Sequence, residues 1–110
     1  MDEFEFRHRV DGAMEALKKA LRHAEDDADF QVEEEDRALH ISFDISPGSF
    51  EISPNDEFQQ IWISALASTF KLDWSEKVND WVLPKSGERL KPLLTRLMNQ
   101  KFGEKAVELK

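Results

Sequence analysis

The hydrophobic positions fall into two periods. From residue 3 to residue 27 the apolar side chains Phe6, Val10, Ala13, Met14, Leu17, Leu21 and Ala24 recur at spacings of three and four. Such spacing draws one apolar stripe along a helix. Asp2 suits the N-cap, Glu3 and Glu5 suit the positive end of the helix dipole, and Gly12 weakens the middle. The opposite, solvent-facing side is expected to carry Arg7, Arg9, Glu15, Lys18, Lys19 and Arg22.

After residue 29 the period becomes two, the signature of strands. Phe30 and Val32 alternate with Gln31 and Glu33; Leu39, Ile41 and Phe43 follow a turn near Asp36-Arg37. Ser46-Pro47-Gly48-Ser49 reads as a turn, Phe50 and Ile52 as a short third strand ended by Pro54-Asn55-Asp56. Gln60 to Ser64 is a fourth strand, Phe70, Leu72 and Trp74 mark a fifth, and Trp81 to Leu83 a sixth. The last helix is expected from Glu88 to Lys101, with Leu90, Leu93, Leu94, Leu97 and Met98 as its stripe. Pro92 is tolerable within its first turn and Gly103 is its stop. Val107 and Leu109 can pack a short tail onto the core. One helix, a run of antiparallel strands and a second helix predict an α+β two-layer sandwich, one domain over residues 1–110, with both helices on one sheet face. The other face is then open to water.

That open face singles out Trp62. If Ile61 and Ile63 point to the core, Gln60, Trp62 and Ser64 point outward, and an exposed Trp in a central strand suggests a contact surface. The competing reading places Trp62 inward or under the 65–69 loop.

Charge sharpens the picture. The chain of 110 residues carries a formal charge of −8, and between Glu25 and Asp36 eight of twelve residues are acidic and none is basic. Phosphate would be repelled there, so nucleic acid is excluded as a natural partner; cations and basic protein surfaces are favoured. Carboxylates suit hard cations. Asp26 and Asp29 can share a face if the first helix continues, and Glu33 with Glu35 shares a strand face, which describes a shallow, weak, multi-site surface. The competing reading is a solvated ridge that favours solubility. His8, His23 and His40 are scattered, although His23 lies near Glu25 and Asp26. There is no Cys, which removes thiolate chemistry and cysteine-ligated clusters, and no nucleophile, phosphate-loop or zinc-protease motif. No apolar run spans a bilayer and the acidic start is unlike a signal peptide, so a cytoplasmic location without membrane contact is expected.

The order of these segments resembles the frataxin family, in particular its bacterial, CyaY-like branch. Gln60-Ile61-Trp62-Ile63-Ser64 is similar to the family's central-strand signature. Phe50-Glu51-Ile52-Ser53, Leu39-His40-Ile41-Ser42-Phe43, Leu72-Asp73-Trp74 with Trp81-Val82, and Ser86-Gly87-Glu88 leading to Leu90 and Leu93-Leu94 agree in order. The resemblance implies the frataxin fold and an iron-binding accessory protein of iron–sulfur cluster assembly. It implies weak binding of Fe(II) or Fe(III) as the only cofactor, and contact with a cysteine desulfurase and its scaffold partner. It implies metal positions at Glu25, Asp27, Asp29 and Glu33, to which the shared-face reading above adds Asp26 and Glu35 as further candidates, and partner contact through Gln60 and Trp62. No catalytic residue follows, so the chain is not expected to be an enzyme, with a weak ferroxidase activity left open. A monomer is expected, or an oligomer that iron drives. Three features depart from the family: Lys18, Lys19 and Arg22 stand where the first helix usually ends in acids, Ser53 stands where many relatives carry Asn, and the loop from Trp74 to Trp81 looks long. The alternative function is therefore a metal-free acidic interaction module of the same fold.

Overall fold

The computed structural model describes residues 1–44 and 47–109. Helix α1 (Glu3–Glu25) leads into strands β1 (Phe30–Glu35), β2 (Ala38–Phe43), β3 (Ser49–Asn55), β4 (Gln60–Ala65), β5 (Ser68–Ser75) and β6 (Asp80–Val82), and helix α2 (Leu90–Phe102) follows. The strands form one antiparallel sheet in chain order, β1 to β6. Both helices pack on one face, as the alternation demands: Ile41, Ile52, Ile61, Ile63 and Leu72 are fully buried with Val10, Leu17 and Leu21 of α1 and Leu93, Leu94 and Met98 of α2. Trp81 sits at one end of this core, edge-on to Phe6 at 5.8 Å. No helix among the described residues is long and apolar enough to cross a membrane.

Local chemistry sets the element ends. Asp2 caps α1, its Oδ1 accepting from the Glu5 N–H at 2.7 Å. The helix stops at Glu25, two residues before the periodicity suggests, because the chain turns there: the Asp27 N–H donates to the Ala24 carbonyl, and the Glu25 carboxylate accepts from the Val32 N–H at 2.7 Å. Strand β3 runs through Pro54 instead of ending before it. Pairing to β2 stops at Ile52, so Pro54 lies where β3 has only β4 beside it and a missing N–H is tolerable. Helix α2 starts at Leu90, not Glu88, because Arg89 is held extended in a bridge to Val82. Glu88 instead receives Arg96 at 2.7 and 3.0 Å. Arg96 holds the Glu88 carboxyl below its usual range, and Glu88 raises Arg96 in return. Gly103, at φ 78, ends α2 as expected. The turn expected at residues 46–49 falls partly outside the described residues, and the 74–81 connection is a turn over 76–79 between β5 and β6.

The tail after Gly103 docks on α2 mainly through Asn99, with Thr95 Oγ1 accepting from the Leu109 N–H at 3.3 Å. Asn99 Oδ1 accepts from the Ala106 and Val107 N–H groups at 2.9 and 2.8 Å, and its Nδ2 donates to the Val107 carbonyl at 3.0 Å. Val107 and Leu109 are thereby buried, as the sequence suggests.

Candidate functional site: the open sheet face and the acidic ridge

Strand β4 puts Ile61 and Ile63 at 0% exposure, and Trp62 between them turns to the helix-free face, half-buried. Its register neighbours are Ser53 on β3 and Lys71 on β5. The indole is held by Gln60, Lys71 and Phe58. Its Nε1 donates to Gln60 Oε1 at 2.8 Å, and Gln60 Nε2 donates to Asp73 Oδ1 at 2.8 Å, which orients the Gln60 amide. Lys71 Nζ lies 4.6 Å from the ring centroid, a cation–π contact. Phe58 stacks on Trp62 at 6.0 Å and 18° while remaining 59% exposed. Asn55 steadies the turn that carries Phe58, its Oδ1 accepting from the Phe58 N–H at 2.9 Å. The 65–69 segment is a tight hairpin end and does not cover Trp62; its cover is Phe58 and Lys71.

The result is a preorganised aromatic platform with an amide, a carboxylate and an ammonium at its edge. Such surfaces lose little side-chain entropy on docking. The sequence pointed to Gln60 and Trp62 but missed Phe58, Lys71 and Asp73 as part of the same surface. Phe58 sits in a turn where no periodicity operates; Lys71 and Asp73 share the outward parity of β5, a signal that could have found them.

The acidic residues are more dispersed than their crowding in sequence suggests. Asp26 ends α1, so the helix does not continue to place Asp26 and Asp29 on one helical face. Glu33 and Glu35 do share the open face of β1, while Glu34 lies on the other side. A cross-strand row Glu33, His40, Glu51 continues there, with His40 Nδ1 3.5 Å from Glu51. Glu25 is already used in closing the Val32 N–H of the edge strand. Asp27 lines a groove of about 560 Å³ that also holds Lys19, His23 and Lys91. Among the described residues no group of three or more His, Asp or Glu side chains is placed to hold a metal ion. The structure therefore does not gather Glu25, Asp27, Asp29 and Glu33 into one ligand set, nor does it bring Asp26, Glu35 or His23 into one. Lys18 compensates part of the ridge: its Nζ lies 3.1 Å from Glu15 and 3.4 Å from Glu34. Those contacts, Glu15 first, raise its pKa.

A family model described as a frataxin-like domain matches residues 1–104. The iron–sulfur cluster assembly protein CyaY of Pseudomonas fluorescens (strain Pf0-1) is 28% identical over 104 residues, 94% of this chain and 91% of that protein. The protein of the same name from Stutzerimonas stutzeri (strain A1501) is 29% identical over 98 residues, 87% of this chain and 88% of that one. The solved structure of frataxin from Psychromonas ingrahamii superposes over 100% of this chain and 99% of its own with a TM-score of 0.83, at 17% identity, a likeness of fold. Fold, ordered motifs and a family match over nearly the whole chain agree: this chain belongs to the frataxin-like family, in its bacterial CyaY branch.

Proposed function

We propose that the chain is an accessory protein of iron–sulfur cluster assembly that works in the cytoplasm by docking its open sheet face on a cysteine desulfurase and its scaffold partner. The observation that carries this reading is the Asp73–Gln60–Trp62 chain of hydrogen bonds with its Phe58 and Lys71 flanks. A half-exposed Trp held this firmly in a central strand is the build of a protein-contact hot spot. The names of the relatives support the pathway. In this reading iron is cargo, drawn weakly by the field of the ridge at Glu25, Asp27, Asp29 and Glu33, with Asp26 and Glu35 adding to it, and the chain regulates sulfur transfer without a catalytic residue of its own. Titration of the labelled protein with a purified desulfurase–scaffold complex tests the proposal: amide signals of β3, β4 and β5 should shift first. A footprint confined to α1 and α2 would refute it.

A second reading keeps the docking surface and drops iron. It is favoured by the Lys18 bridge to Glu34 and by the use of Glu25 as a backbone acceptor. Fe(II) titration under anaerobic conditions separates the two: selective broadening near Asp27, Asp29 and Glu33 supports iron as cargo, and none at stoichiometric iron supports the metal-free module.

A further inference from the structure

The β3–β4 turn carries an apolar ring that the fold does not bury. Asp56, Glu57 and Phe58 are all exposed there, and Phe58 keeps 59% of its surface in water. An exposed Phe by itself means little. Phe58 differs because it is held. Its ring lies at 18° to that of Trp62, with centroids 6.0 Å apart. Asn55 Oδ1 accepts its N–H at 2.9 Å, and Gln59, at φ 53, closes the turn behind it. In a sheet whose antiparallel strands follow chain order, alternate turns fall at the same end, so the turns at 36–37, 56–59 and 76–79 share one end with Phe58. Arg37 joins two of them, its Nη1 3.1 Å from Asp56 Oδ2. Asp36, Asp56, Glu57 and Glu76 stand there against Arg37 and Lys77, so this end is net acidic.

We propose that Phe58 is a partner contact in its own right, a ring that enters an apolar pocket of the desulfurase–scaffold complex whose rim carries Lys or Arg. The inference rests on the docking reading of the sheet face and deepens it by naming the chemistry of the partner surface. A Phe has two side-chain torsions, and one already stacked loses little freedom on docking. Seating it takes exposed apolar surface out of water, which is how the aromatic anchors of interfaces contribute. The acidic turn around it matches a basic rim and speeds encounter with one. An acidic or wholly polar partner surface would gain from neither feature.

Affinity for a purified desulfurase–scaffold complex, measured for single and double variants of the intact chain, tests this. Phe58→Ala should raise Kd about tenfold, and Phe58→Leu, which keeps apolar bulk and loses the ring stack, should recover much of the loss. If Phe58 only steadied Trp62, its removal would cost nothing once Trp62 was gone. In a Trp62→Ala background Phe58→Ala should therefore still raise Kd at least about threefold, and no further loss would overturn the contact. Glu57→Lys should slow association at low salt, with the difference shrinking as salt rises; equal or faster association would overturn the basic rim. Wild-type affinity for Phe58→Ala beside a loss for Trp62→Ala would overturn this inference alone. Wild-type affinity for both would overturn the docking reading with it.

Discussion

Replacing Asn99 by Ala should detach the C-terminal tail. The side chain makes three hydrogen bonds to residues 106 and 107, all partly buried. At about 0.5–1.5 kcal/mol net for each, their loss amounts to about 2–4 kcal/mol. The upper end is limited because a freed tail regains water for its backbone and recovers chain entropy, while Val107 and Leu109 lose their burial. For a domain of this size the predicted fall in melting temperature is on the order of 10 °C or more. Asn99→Asp keeps both acceptor bonds but sets a carboxylate against the Val107 carbonyl, and should fall between wild type and Asn99→Ala. Deleting residues 105–110 should cost a similar amount, and adding Asn99→Ala to the deletion should cost little more, since both remove the same contact. Urea melts followed by tryptophan fluorescence give the four free energies. A loss under about 0.5 kcal/mol for Asn99→Ala, or full additivity with the deletion, would refute the claim that Asn99 acts by holding the tail.

Three further outcomes follow from single features. Leu66 and Ala67 form the β4–β5 turn at φ 52 and φ 62, a left-handed pair without Gly or Asn, so Leu66→Asn with Ala67→Gly should stabilise by about 1–2 kcal/mol in a urea melt. Glu88→Gln should lower stability near neutral pH. Because Arg96 depresses the Glu88 carboxyl in the folded state, that contribution is fully present above its usual value of 4.5 and disappears as pH falls through the lower folded value, so wild-type and variant melts should converge in acid. Lys18→Glu, Lys19→Glu and Arg22→Glu together should tighten Fe(II) binding at low salt and lose that gain at high salt, read by calorimetry; equal affinity at low salt would show that ridge charge does not govern binding.

Much of the fold was legible because it rests on local period. The stripes from Phe6 to Ala24 and from Leu90 to Met98 determine the helices' buried faces, and the alternation through Ile41, Ile52 and Ile63 determines the sheet parity that turns Trp62 outward. Where local rules failed, a neighbour had intervened. Pro54 stays in β3 because β2 has already ended beside it, and Arg89 stays extended because Val82 pairs with it. The Leu66-Ala67 turn adopts positive φ at both positions without Gly, Asn or Asp, since tertiary pairing of the strands overrides turn preference. The candidate site was read in part. Parity supplied Gln60 and Trp62, but the Gln60–Asp73 bond and the Phe58 stack are contacts across strands and turns. The acidic run was visible as charge, yet its division between sheet faces, and the diversion of Glu25 and Glu34 to Val32 and Lys18, belong to packing. Arg9 was expected on the solvent face of α1; it lies half-buried over Trp74, drawn by a ring that the sequence places 65 positions away.

The central claim is that Trp62 serves a partner and not the core. Trp62→Ala, assayed for affinity to a purified desulfurase–scaffold complex beside a urea melt of the free protein, tests it most directly. Losing the Phe58 stack and the Lys71 contact should cost the fold about 1–2 kcal/mol. Partner affinity should fall by about 2 kcal/mol or more, roughly thirtyfold in Kd. A stability loss of about 3–5 kcal/mol, the cost of emptying a core site, with partner affinity unchanged would contradict the account.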